Sequence, residues 1–315
     1  MDLLRLPLLP LIEVFKNMDF RELFSISLLS KRAQNILKTM SNSFHFTFDF
    51  TNNLIIHTGT FSQGSRPKVT DEVLNYLIKE EVMQFSIYPN CVALREKSPQ
   101  KQSLLAAHLL DTFPKSTVSV TFYFPTLPAS ALEFMKMVNQ RQLCIKSFSY
   151  SIMSQSSEFI PRILDECTEV TDSISINTSF PDDFIYTPPR PFKAREFSVG
   201  ISANWFNIES FLNCRRIIIK LRSSYRTPQE WNTFLKNWIN SDVPLEYLWT
   251  LYISDTLFPK VIDGLRHQGI QKEGSDEWIE VTRRDGSDYV IGRNEEDDLY
   301  VMTKKEHLEH LQNQE

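Results

Sequence analysis

From Thr117 onward strand-like runs start about 20 to 30 residues apart, and the first four alternate apolar residues with small polar ones. The runs are Thr117–Phe124, Lys146–Ile152, Ser173–Asn177, Arg195–Ile201, Arg216–Leu221 and Leu245–Ile253. In the first, Val118, Val120, Phe122 and Phe124 fall on one side, and Thr117, Ser119, Thr121 and Tyr123 on the other. Ser149 and Ser151 alternate with Phe148, Tyr150 and Ile152, Ser173, Ser175 and Asn177 with Ile174 and Ile176, and Ser198 and Ser202 with Phe197, Val199 and Ile201. A parallel sheet covered on both faces would be apolar on both. These strands are apolar on one face only, so helices are expected on one side and an open polar wall on the other. The wall residues Ser119, Thr121, Tyr123, Ser149, Ser151, Ser175, Asn177, Ser198 and Ser202 are candidate contacts for a protein ligand.

The spacing between runs leaves room for helices. Ile160, Ile163, Leu164 and Cys167 make one helical stripe, and Trp231, Phe234, Leu235 and Trp238 another. The second opens on Thr227-Pro228-Gln229-Glu230, an N-cap, a first-turn proline and a returning carboxylate. Strand–helix alternation favours parallel strands with right-handed crossovers. Arg216–Leu221 and Leu245–Ile253 are nearly continuously apolar, which requires cover on their second face, expected from the C-terminal segment. Asp285-Gly286 reads as a hairpin turn, 294–298 as an acidic loop before a strand, and Lys304–Glu315 as a charged tail, frayed or helical. A further strand is read at Gln84–Tyr88. The fold expected is α+β overall: a small N-terminal three-helix segment, then a leucine-rich-repeat-like α/β solenoid arc with a mostly parallel sheet, closed by a short β segment.

Residues 1–42 have a different period. Leu11, Val14, Phe15 and Met18 stand at i, i+3, i+4, i+7; Asp19 with Glu22 forms a capping box for a helix through Leu23, Phe24, Ile26 and Leu28; Ser30 caps a third carrying Ala33, Ile36, Leu37 and Met40. Phe44–Phe50 then alternates as a strand, which puts a boundary near residue 42. Helices this short cannot bury so much apolar surface among themselves. Either the rest of the chain covers it or another protein does.

Leu6-Pro7, Val14-Phe15, Met18-Asp19, Glu22-Leu23, Ser27-Leu28 and Ser30-Lys31-Arg32 resemble the F-box, with Phe15 and Met18 in place of leucines and Ala33 where a tryptophan is common. Further on, Arg215–Ile219, Trp231–Trp238 and Pro244–Leu248, followed by Trp278–Gly286 and Leu299–Met302, resemble the type 2 F-box-associated domain over about residues 195–302. The resemblance implies that residues 1–42 dock on a Skp-type adaptor and through it on a cullin scaffold, with Leu6, Pro7, Leu11, Val14, Phe15, Met18, Leu23 and Leu28 as the adaptor-binding set. The arc over 43–302 would then recruit a protein substrate for ubiquitination, leaving 303–315 as the tail. The alternative is a non-catalytic interaction scaffold whose N-terminal helices cap the solenoid.

Composition narrows the remaining classes. The net charge of −5 removes the electrostatic footprint of a general nucleic-acid binder. Only 8 glycines occur, and Gly59–Arg66 has the two-glycine spacing of a phosphate loop but Ser-Arg where Lys-Ser/Thr is needed. The 4 cysteines form no C-x-x-C pair, consistent with reduced thiols in an intracellular, cytoplasmic or nuclear protein. No G-x-S-x-G or H-E-x-x-H occurs, and neither a signal peptide nor a long apolar span is apparent. His108 shares a helix face with Leu105 and Leu109 and reads as packed; His307 and His310 lack a third ligand nearby; Asp182-Asp183 reads as solvated loop. A non-catalytic subunit without metal or cofactor is therefore expected.

Overall fold

The computed structural model describes residues 6–40, 43–59, 73–152, 158–181, 184–201, 205–220, 226–250 and 253–312. They fall into two compact units, Met1–Ile152 with Glu158–Val170, and Met153–Ser157 with Thr171–Glu315. The N-terminal helices and the first sheet belong to the same compact unit.

The first unit opens with α1 (Leu8–Lys16), α2 (Phe20–Leu29) and α3 (Lys31–Thr39). The expected capping box is present: Glu22 N–H donates to Asp19 Oδ1 (2.8 Å), and Asp19 N–H to Glu22 Oε2 (2.9 Å). Ser30 Oγ accepts from Ala33 N–H, so two caps separate three helices without a glycine. The strands are β1 (His45–Phe50), β2 (Leu54–Thr58), β3 (Leu74–Ile78), β4 (Glu81–Tyr88) and β5 (Cys91–Leu94). After α4 (Pro99–Thr112) come β6 (Thr117–Tyr123), α5 (Pro128–Gln140), β7 (Cys144–Ser151) and α6 (Ile160–Glu166). The strand order is β7-β6-β1-β2-β5-β4-β3. β1, β6 and β7 are parallel, while β2 to β5 form an antiparallel extension.

Alternation in β1 turns Phe46, Phe48 and Phe50 inward, all at 3% exposure or less. Phe20 of α2 lies against Phe44 (5.7 Å), Phe46 (5.8 Å) and Phe113 (6.3 Å), and Phe24 against Phe85 (5.7 Å). Phe134 of α5 meets Phe48, Phe50 and Phe122. One phenylalanine core therefore runs from the N-terminal helices to α5.

The second unit contains β8 (Ser173–Thr178), β9 (Glu196–Ile201), β10 (Arg216–Lys220), α7 (Pro228–Ile239), β11 (Tyr247–Thr250) and α8 (Phe258–Val261). It ends with β12 (Gln271–Glu273), β13 (Asp276–Thr282), β14 (Asp288–Arg293), β15 (Leu299–Thr303) and α9 (Lys304–Gln312). Strand order is β8-β9-β10-β11-β15-β14-β13-β12; the first four are parallel and the rest antiparallel. The capping box at Thr227 and Glu230 and the hairpin at Asp285-Gly286, with Gly286 at φ 84°, are as expected.

Two expectations are corrected. The sheets are not mostly parallel: each parallel run is extended by four antiparallel strands, β2 to β5 and β12 to β15. The strand–helix alternation also lapses between β8 and β10. Pro181, Pro188, Pro189 and Pro191 prevent a helix between β8 and β9, and Phe180, Phe184 and Tyr186 pack on Trp205 instead. A 3-10 turn, Ile208–Phe211, links β9 to β10. Of the two readings of the tail, Lys304–Gln312 takes the helical one. His307 is 2% exposed, 4.8 Å from Trp278 and 5.8 Å from Tyr300, because β13 to β15 present an aromatic face that needs cover.

Candidate functional site

The adaptor-binding residues expected from the sequence divide into two sets. Leu11, Phe15 and Leu23 are wholly buried at 0% exposure, so in this conformation they hold the helices on the unit's own core and offer no contact surface. Pro7 and Val14 are exposed, and Leu6, Met18 and Leu28 half-buried. The sequence reading passed over the most exposed apolar side chains nearby: Leu8 (53%), Leu9 (76%) and Leu29 (70%). The signal was there, since α1 is apolar around most of its circumference, a pattern that demands cover on more than one side. The inner side is anchored by polar contacts as well: Ser27 Oγ lies 2.9 Å from His108 Nε2, and Gln34 donates to Thr112 Oγ1 at 3.0 Å.

The polar sheet faces are real and partly self-satisfied. In the first unit the register aligns Thr47, Ser119 and Ser147, and next to them Asp49, Thr121 and Ser149. His45 bridges Thr117 (2.8 Å) and Ser119 (3.1 Å), and Ser147 donates to Ser119 (2.7 Å). Ser119 is therefore committed to this ladder and only 8% exposed, which corrects its reading as a ligand contact. Thr121, Ser149 and Ser151 are half-buried and Tyr123 is exposed.

The face continues onto β2, β5 and β4, where the sequence reading had placed no site. Thr47 pairs with His57, His57 with Cys91, and Cys91 with Tyr88. Asp49 Oδ2 is 3.6 Å from His57 Nε2, and Arg95 donates to Ser86 and to the Tyr88 hydroxyl. Cysteine, histidine and aspartate thus meet here, yet burial and the Asp49 carboxylate push the Cys91 thiol up to about 12, and burial lowers His57. Neither shift produces the thiolate that a nucleophile needs.

In the second unit Ser175, Ser198, Ile218 and Trp249 share one row, and Ser173, Glu196, Arg216 and Tyr247 the next. Ser198 is 8% exposed, leaving it too little surface for the contact expected of it. Ser175 and Asn177 are half-buried; a Cβ on Gly200 would stand 2.0 Å from Asn177 Oδ1, so Asn177 lies across that glycine. Ser202 and Asp182-Asp183 lie outside the described residues. Arg216 is the hub: its guanidinium is 3.8 Å from the Tyr247 ring centre and pairs with Glu196 (3.4 Å) and with Glu306 of α9 (2.9 Å). The Trp249 indole donates to Asp298 at 3.1 Å. The C-terminal segment thus reaches the strands that the sequence pattern said needed cover.

Among the described residues no group of three or more His, Cys, Asp or Glu side chains is placed to hold a metal, and no helix is long and apolar enough to cross a membrane. Burial lowers His307 to about 4.

Comparison with known proteins agrees with the resemblance. Residues 3–45 match the F-box domain and residues 189–249 match a domain described as F-box associated, so the chain carries both in that order. The second match includes β9 to β11 and α7 and stops short of β12 to β15, which the sequence reading had included. Skn-1 dependent zygotic transcript 15 protein of Caenorhabditis elegans is similar at 24% identity over 337 aligned residues, covering 95% of each chain. No solved structure matches. F-box domains generally bind Skp-type adaptors.

Proposed function

From an F-box and an F-box-associated domain on one chain, we propose that this protein is the substrate-recognition subunit of a cullin-RING ubiquitin ligase, docking on a Skp-type adaptor through α1 and its surroundings. The observation that carries the reading is the division of α1: Leu11 and Phe15 face the core while Leu8, Leu9 and Val14 remain exposed on the same helix. The contact set is therefore Pro7, Leu8, Leu9 and Val14, with the half-buried Leu6, Met18 and Leu28 at its margin. The subunit is non-catalytic. It positions a protein substrate, and an associated enzyme supplies the chemistry, so its contribution to rate is proximity. The half-buried polar residues of the parallel strands, Thr121, Ser149 and Ser151 in the first unit and Ser175 and Asn177 in the second, are the candidate contacts for the substrate, in a cytoplasmic or nuclear protein. Calorimetric titration of the full-length chain with a purified Skp-type adaptor tests this: saturable binding supports it, and its absence refutes it.

The scaffold reading keeps one observation in its favour, the packing of Phe20 on Phe44, Phe46 and Phe113, which makes α2 a cap of the first sheet. Capping alone leaves Leu8 and Leu9 in water. The adaptor titration separates the two readings.

A further inference from the structure

In the second unit Lys236 of α7, Arg266 beyond α8, and Arg283 and Arg284 in the β13–β14 turn line one cavity of about 570 Å³, and no carboxylate lines it. The remaining wall is Ile239, Asn240, Gly264, Leu265, Val281 and Thr282. On a chain of net charge −5, three cationic side chains that are not buried, Lys236, Arg266 and Arg284, line this cavity, while the buried Arg283 guanidinium lies 5.0 Å from the Trp238 ring and 5.6 Å from that of Tyr289.

The loop carrying Arg266 is fixed against α7. Asn232 Nδ2 donates to the carbonyls of Val261 and Asp263, both at 2.8 Å, and Gly264 takes φ +69°, turning the chain back toward the helix. The Lys236 ammonium lies 3.3 Å from where a Cβ on Gly264 would stand. The backbone of the loop that carries Arg266 is thus set beside Lys236 before any ligand arrives, which lowers the ordering cost of binding.

A bland explanation accounts for part of the cluster, because cations are favoured at a helix C-terminus. Arg283 donates to the carbonyls of Ser241 and Val243, both at 2.8 Å, and Arg284 N–H to that of Ile239. The last-turn carbonyls of α7 at Lys236, Trp238 and Ile239 accept from Asn240, Ser241 and Arg284 N–H, so the side chains of Arg266 and Arg284 are not needed there. Both are exposed, and neither they nor Lys236 forms an ion pair among the described residues. Arg283 is 5% exposed with its Nε–H unpartnered, and its one carboxylate, Asp285, is 4.0 Å away. The adjoining depression that shares Arg266 and Thr282 contains Glu280 and Asp288, but Lys304 occupies the first at 2.6 Å and Thr282 donates to the second at 2.8 Å.

We propose that this cavity binds an oxyanionic side chain, a carboxylate or phosphate monoester, presented by a segment of a protein substrate. That the anion comes on a protein rests on the receptor reading above; the preference for an anion does not. Planar guanidiniums at Arg266 and Arg284 suit the paired oxygens of either group.

The test is fluorescence anisotropy of the full-length protein with three degenerate peptide mixtures that share neutral flanks and carry serine, glutamate or phosphoserine at the centre. At least one anionic mixture should bind ten-fold or more tightly than the serine mixture, and Arg266→Glu with Arg284→Glu should abolish the difference. Preference for the glutamate or for the phosphoserine mixture identifies the group and supports the proposal either way. Equal binding of all three, or a preference that survives the double substitution, overturns it. Lys236→Met, which removes charge without reversing it, should weaken the preference several-fold and guards against misfolding of the double variant. Adaptor binding is measured on the same samples: its loss in the wild-type chain would overturn the receptor reading alone, since the cavity lies in the other unit.

Discussion

Ser27 Oγ, on the F-box helix α2, stands 2.9 Å from Nε2 of His108 on α4. The hydroxyl's single proton goes to the Phe24 carbonyl at 2.6 Å, so Nε2 carries the hydrogen and Nδ1 is left to accept from Gln34 Nε2 at 3.5 Å. The imidazole is neutral and joins the F-box to the sheet behind it. Replacing Ser27 by Ala should cost about 1 kcal/mol, and His108 by Ala about 2 to 4 kcal/mol through lost packing as well. A double-mutant cycle by urea denaturation should show positive coupling; strictly additive losses would mean that the pair is not bonded.

Acid should loosen both units. Burial lowers His108 and His307 to about 4, against 6.5 in an unfolded chain. The unfolded state therefore binds more protons between pH 6.5 and 4, so stability is complete above about pH 7 and falls as pH drops through that window. At pH 5 the loss is at most about 2 kcal/mol per histidine. Urea midpoints at pH 7.5 and 5.0 measure it, and His307→Leu should flatten the dependence of the second unit. An unchanged slope in that variant would contradict the assignment.

The α9 docking surface depends on a glycine. The Tyr300 ring lies over Gly292, where a Cβ would come within 2.2 Å of it. Gly292→Ala should cost about 1 to 3 kcal/mol by overpacking. Ending the chain at Thr303 should expose Trp278 and Tyr300, visible as a red shift in tryptophan emission and binding of a hydrophobic dye. Native fluorescence in the truncated protein would show that α9 does not cover that face.

Much of the architecture was legible because period-2 alternation and capping chemistry are local. The runs at Thr117, Ser173 and Arg216 and the boxes at Asp19 and Thr227 appear where their spacing put them. β2 and β5 were not, since Leu54–Thr58 and Cys91–Leu94 are only five and four residues long and show no apolar–polar alternation. The candidate site was harder for a different reason. Helical spacing identifies the stripe of Leu11 and Phe15 but not whether a partner or the chain itself covers it; only their complete burial in the folded chain decides that. The basic cavity joins Lys236 to Arg266 and Arg284 across two loops, a meeting that no window of sequence contains.

The central claim is that α1 has an inner side serving the fold and an outer side serving an adaptor. Calorimetry with a purified Skp-type adaptor should show Leu8→Asp with Leu9→Asp weakening binding by at least about 2 kcal/mol while the thermal midpoint stays within a degree or two of wild type. Leu11→Ala should instead lower the midpoint, with a stability loss of about 2 to 5 kcal/mol. Undiminished adaptor binding by the Leu8, Leu9 variant would contradict the account.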